Sequence, residues 1–442
     1  MQGNDTAADI ADSVRSGHRP AVEVVATALA RAADDRCHAL VTLCAERAMN
    51  EAAAIDRAVA NGEDPGPLAG VPFTVKDTIA TAGVRTTAGS RLLADHVPEL
   101  DAACVARVRA AGAVLIGKTN CPEFALQAHT DNLVFGATTH PQDPGMSPGG
   151  SSGGCAAAVA AGIVPFSIGG DYGGSIRYPA SCTGLFGLRP ARGAFDGTGT
   201  LPAPASGTPR HRFQEIGPLA RSLDDIALVA SVLLGTAERV ARVDRVGLVL
   251  DAWPLDGATR RAVERAADAL TAAGVAVVPI DAAPFSRATE LFDAWRATDG
   301  YADLREFIAG REAELTPHIR TLVATRTVTP ERDVAAIAQE ADEIERVVAN
   351  VLLDTPVLLL PVALVGALPI GATHVPVAGR EEPIDSLRIL APSRAISLLG
   401  LPALAVPAGA DDRGLPVGVQ LVGRPRGDAE VFAVARSLTP IR

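Results

Sequence analysis

The sequence predicts an α/β fold built on a layered β-sheet. Short apolar runs of strand length recur along the chain, and most are separated by stretches whose apolar residues repeat at helical spacing. The 442 residues are 48% hydrophobic and 21% charged, which supplies enough apolar side chain for a large buried core. No Gly/Ser tract, charge block or repeat divides the chain, so residues 1–442 read as one domain.

Taken in order, residues 5–60 read as three helices with a strand-like segment at 39–44. Pro20 opens one of these helices, because the N–H it lacks would have no partner there. The apolar run from Leu68 to Val75 ends on Lys76, as a strand that carries one lysine off its end into the interior. A helix is expected over 100–111, with Ala103, Val105 and Val108 inward, then a strand at 113–116. Residues 155–161 read as helix and 163–168 as strand. The second half alternates again: strand 246–250, helix 258–273, strand 275–280, then a helical stretch to about residue 352. Strands follow at 357–360, 403–406 and 417–421, and a helix at 428–437 closes the pattern. Residues 285–352 are expected to form a helical cap over one face of the sheet.

Composition excludes several partners. The formal net charge is -11 and no Lys/Arg cluster offsets it, so nucleic acid lacks the positive footprint it needs. The first residues, MQGNDTAADIADSV, lack the basic and apolar regions of a signal peptide. The most apolar tract, Val351 to Ala372, contains Asp354, Pro356, Pro361 and Pro369, whereas a spanning helix wants roughly 20 uninterrupted apolar residues. No membrane partner is expected. The cysteines (Cys37, Cys44, Cys104, Cys121, Cys155, Cys182) form no C-x-x-C pair and read as small buried side chains of a reducing compartment, with the cytoplasm as the expected location.

Chemistry concentrates between Gly149 and Pro179, GGSSGGCAAAVAAGIVPFSIGGDYGGSIRYP. Two glycine clusters each abut hydroxyls, Ser151 and Ser152 in the first and Ser175 at the end of the second. Glycine costs backbone entropy on folding, so this density implies close approach or φ > 0, and here a nucleophile presented beside backbone N–H groups. Two nearby motifs fail on context. Gly112–Thr119 satisfies G-x-x-x-x-G-K-[ST], but its middle residues form an apolar strand and Pro122 follows where a helix is needed. G-x-S-x-G is met around both Ser151 and Ser152, yet turn residues 143–148 precede it instead of a strand. Of the histidines after the serines only His374, in GATHVP, stays open as a triad partner. No His or Cys spacing supports zinc, and neither a metal nor another cofactor is expected.

A serine nucleophile without histidine needs another base. Lysine serves only when neutral, and full burial disfavours its ammonium form by up to about 3–5 pKa units. Lys76, at the end of an apolar segment, is the candidate, although composition alone favours a surface pair with Asp77.

The Gly149–Pro179 stretch closely resembles the signature of the amidase signature family of serine hydrolases: G-G-S-S-G-G, a long small-residue run, then D-x-G-G-S-[IV]-R-x-P. Supporting segments at 70–77, 117–124, 184–190, 217–222, 400–407 and 422–425 resemble that family in collinear order. The resemblance implies a mixed central β-sheet flanked by helices on both faces. It also implies cleavage of a carbon–nitrogen amide bond of a small molecule through an acyl-enzyme, with water as co-substrate. By position, Ser175 is the nucleophile, Ser151 the bridging serine after a cis peptide, and Lys76 the general base. The oxyanion hole falls on the N–H groups of Tyr172, Gly173, Gly174 and Ser175. Ser152 supports the bridging loop, and Asp171 and Arg177 tie the second cluster together.

The chain departs from the family pattern at Tyr172, where threonine or a small aliphatic residue is usual, and at Gly170. Backbone donors survive both changes, so pocket shape is what they affect. Segments 121–135, 191–215 and 285–352 are expected to build that pocket. Alternatives from other classes are an esterase or acyltransferase with the same triad, a homologue kept only for binding, and the glutaminase subunit of a tRNA-dependent amidotransferase. Against the last, residues 318–353 lack its glycine- and tyrosine-rich R-I-x-L-G-T-Y type of segment. A homodimer is left open.

Overall fold

A computed structural model describes residues 5–235, 241–325, 328–384 and 388–438. The extreme ends of the expected 1–442 domain, and residues 326–327 of the expected cap, lie outside the described residues. The strands are β1 (Leu40–Leu43), β2 (Pro72–Lys76), β3 (Val114–Thr119), β4 (Phe166–Asp171), β5 (Phe186–Arg189), β6 (Glu215–Ala220), β7 (Arg245–Leu248), β8 (Ala276–Pro279), β9 (Val357–Pro361), β10 (His374–Val377), β11 (Arg380–Pro383), β12 (Ala403–Ala410) and β13 (Pro416–Gly423).

Eleven strands form one sheet in the order β1-β3-β2-β4-β6-β5-β12-β13-β9-β7-β8, and β10 and β11 make a separate hairpin. The sheet is mixed. β3, β2 and β4 run parallel, as do β9, β7 and β8, and antiparallel pairs join these two patches. Every residue of β2, β3, β4, β5, β6 and β9 is buried, so both faces of the central sheet are covered. All six cysteines are buried and unpaired within that core.

Most expected elements are present within a few residues. The strand expected at 163–168 instead runs from Phe166 to Asp171. Pro165 cannot donate to a ladder, whereas Gly169 and Gly170 stay extended because β6 pairs opposite them. β5 and β6 are additions to the sequence pattern. Gly187, Gly217 and Pro218 weaken their strand signal, and β5 pairs with β6 only at Phe186–Ala220 and Gly187–Leu219, so Pro218 lies beyond that pairing. The 285–352 stretch divides into helices Ala283–Arg296, Ala302–Ile308, Pro317–Thr325 and Glu331–Asp354. All but the first two of the P-loop-like residues lie in β3, with Lys118 and Thr119 inside the strand itself. No helix among the described residues is long and apolar enough to cross a membrane.

Candidate active site

β2 and β4 are parallel neighbours whose carboxyl ends open on the same side, the usual place for a ligand in such sheets. β2 delivers Lys76 there and β4 delivers Asp171. Lys76 is 1% exposed, and its Nζ donates to Ser151 Oγ at 2.6 Å and to Ser152 Oγ at 3.1 Å. Burial pushes its pKa below the ordinary lysine value, against the opposing pull of Cys121, Cys155 and Asp171. No surface pair with Asp77 forms: Asp77 is buried and accepts from the backbone and hydroxyl of Thr87.

The first glycine cluster is a tight loop entering helix Gly153–Ala160. The Gly150–Ser151 peptide is cis. A Cβ on Gly150 would lie 2.7 Å from the Ala128 backbone, so only glycine lets the two chains approach. Ser152 joins the two clusters. Its N–H donates to the Ser175 carbonyl at 3.1 Å, and its hydroxyl donates to the Gly170 carbonyl at 3.1 Å.

The second cluster is organised by Asp171. Its carboxylate accepts from the N–H of Gly174 at 2.8 Å and of Ile176 at 3.1 Å, and from Arg177 Nη2 and Nε at 2.9 and 3.0 Å. Burial alone would raise this carboxyl, but the charge and hydrogen bonds of Arg177, helped by Arg189, outweigh it and hold Asp171 well below the usual carboxylate range. Arg177 is fully buried and also donates to Gln420 and Ser397 at 2.9 Å each. The Gly174 N–H is thus engaged inside the turn. The N–H groups of Gly173 and Ser175 meet no protein acceptor among the described residues. Gly174 has φ 120°, and a Cβ there would strike Ser393 Cβ at 2.7 Å.

Lys76, Ser151, Ser175, Gly170 and Tyr172 line one cavity. Its other walls are Thr78 just past β2 and, from two of the three segments expected to build the pocket, Phe124–Leu126, Thr200, Leu201, Pro204, Arg210 and Gln214. No lining residue comes from 285–352; that segment acts one layer out, where Phe292 packs edge-on against Tyr172 and Thr316 binds Glu123. Arg210 and Gln214 are not singled out within the 191–215 segment, because a five-residue helix, Pro209–Phe213, and its C-cap Gln214 leave no periodic pattern in the sequence. No histidine lines this cavity; His374 is exposed on β10. Among the described residues no group of three or more His, Cys, Asp or Glu is placed to hold a metal ion.

The amidase family model matches residues 23–432. Curated relatives include a glutamyl-tRNA(Gln) amidotransferase subunit from Prochlorococcus marinus (strain MIT 9303), 32% identical and covering 96% of this chain and 94% of its own length. Its namesake in Salinispora arenicola (strain CNS-205) is 34% identical, covering 98% and 96%. Among solved structures, one described as an amidase superimposes with TM-score 0.89 at 30% identity over 99% of both chains. A bacterial aryl acylamidase gives TM-score 0.87 at 26% identity, covering 98% and 96%, and 6-aminohexanoate cyclic dimer hydrolase gives 0.85 at 26%, covering 100% and 98%. With Lys76, Ser151 and Ser175 in one cavity and the family match spanning nearly the whole chain, the protein belongs to the amidase signature family.

Proposed function

We propose that this chain is an amidohydrolase that cleaves a small-molecule amide through Lys76, Ser151 and Ser175, working as one catalytic unit. The observation that carries the reading is the 2.6 Å contact between a buried Lys76 amine and Ser151 Oγ, in a cavity that Ser175 shares. Ser175 Oγ attacks the amide carbonyl, and its proton passes to Ser151 while the Ser151 proton passes to neutral Lys76. The negative charge on the carbonyl oxygen is met by the N–H groups of Tyr172, Gly173 and Ser175, with Gly174 holding the turn through Asp171. The relay then runs backwards and protonates the departing amine, which an amide requires because its leaving group is poor. Water repeats the cycle on the Ser175 ester and releases the acid. Ser152 is assigned to holding the loops together, since its hydroxyl already donates to Gly170.

The same acyl-enzyme would form from an ester with loss of its alcohol, or pass its acyl group to an alcohol or amine in place of water, so esterase or acyltransferase activity is the first alternative. The glutaminase subunit is a second one, supported by the names of the curated relatives. Against it, residues 331–354 form one continuous helix with none of the glycine- and tyrosine-rich segment. Mass-spectrometric turnover of a mixed panel of amides, esters and glutamine tests these readings. Ser175→Ala should lose on the order of 10⁴-fold or more. Full activity in that variant would overturn the mechanism, and glutamine as the sole substrate would favour the glutaminase reading.

A further inference from the structure

The two departures from the family pattern, Gly170 and Tyr172, meet at one wall of the cavity. A Cβ on Gly170 would lie 2.7 Å from Gln214 Nε2, so the missing side chain is what lets the Gln214 carboxamide in. Tyr172 and Arg210 line the same cavity. The Tyr172 ring is held edge-on by Phe213 and Phe292, with centroids 5.9 and 5.4 Å away. Part of the residue is accessible, but its hydroxyl oxygen is buried and has no protein partner among the described residues. A buried hydroxyl left this way costs free energy until a ligand or water fills it. Burial also pushes the phenol well up, so it stays a donor. Arg210 brings a guanidinium whose charge Asp303 already balances at 3.1 Å, while its Nη2 donates to Pro202 O at 2.8 Å. The wall is rich in donors and carries little net charge.

We propose that Tyr172 and Gln214 are specificity-determining residues that hydrogen-bond a second, uncharged carbonyl carried by the substrate a few bonds from the scissile amide. This rests on the Ser175 acyl-enzyme reading. The test is acylation of the whole enzyme by two p-nitrophenyl esters of equal chain length, the 4-oxopentanoate and the pentanoate, followed by nitrophenol release and intact mass. The wild type should acylate about tenfold faster with the oxo ester, the worth of one hydrogen bond of about 1.4 kcal/mol. Tyr172→Phe and Gln214→Leu should each pull the ratio of the two rates toward one. Gly170→Ala should do the same, because the added Cβ displaces the end of a flexible side chain and leaves the backbone in place. A merely structural role would slow both esters by one factor and keep the ratio. That outcome, or a wild-type ratio of one with Ser175 acylated, overturns the proposal. No adduct on Ser175 from either ester overturns the acyl-enzyme reading, and the proposal falls with it.

Discussion

Lys76 and Lys118 sit on neighbouring parallel strands, with Val75 opposite Lys118 and Lys76 opposite Thr119. Both are sealed from solvent, and burial pushes both below the ordinary lysine value. Their partners differ. Lys118 Nζ donates to the Ile79 carbonyl and to the Thr81 hydroxyl, near the charge of Asp77, which helps keep it an ammonium with a pKa of about 8. A carbonyl has no proton to give. Lys76 instead faces two hydroxyls, one of them on the cavity. Desolvation makes either amine easier to neutralise, but the Thr81 hydroxyl beside Lys118 already donates to the Ile79 carbonyl and lies off the cavity, whereas the Ser151 hydroxyl beside Lys76 lines it. Lys118 pins residues 79–81, next to the cavity residue Thr78.

The sharpest way to break this contrast is Lys76→Met. Amide turnover should fall by about 10²–10⁴-fold, the worth of a positioned acid–base group, and activated-ester turnover by much less. Equal small losses on both substrates would make Lys76 as structural as Lys118. In the wild type the amide rate should rise with pH and level off around a pKa below the ordinary lysine value, since the neutral amine is the active form.

Lys118→Met should act on stability instead. Loss of its charged hydrogen bonds should cost about 1–3 kcal/mol, read as a lower urea midpoint at unchanged m-value. The amide-to-ester ratio should stay that of the wild type, and its collapse would mean that Lys118 shares the work of the base. The smallest effect is on pH dependence. The folded pKa of Lys118, about 8, lies below its unfolded value of 10.5, so between these limits the unfolded chain binds more protons. This group's contribution is full above pH 10.5 and is lost as pH falls through 8. The difference in unfolding free energy between wild type and Lys118→Met should therefore grow with pH across that window, and a flat difference would place Lys118 in a more polar setting.

Much of the fold was legible because local pattern carries it. Lys76 closes an apolar strand, as its isolation among apolar residues implied. β5 and β6 were hidden because glycine and proline mask strand propensity, and only pairing inside the sheet overrides that. At the site, signature spacing exposed both serine clusters. It did not reveal that the Gly174 N–H is engaged by Asp171, nor that the 285–352 helices stop short of the cavity wall.

By itself, then, the sequence determined most of the alternation of strand and helix, and it brought forward the two serine clusters and the isolated Lys76 as candidates. Those are properties of composition and spacing along a short stretch. Tertiary structure alone decided which buried lysine meets a serine, which serine hydroxyl is occupied elsewhere, and that Gln214 reaches the cavity past Gly170. The physical reason is range. A hydrogen bond or steric gap is decided over a few tenths of an ångström, by the register of strands whose residues lie far apart in the chain.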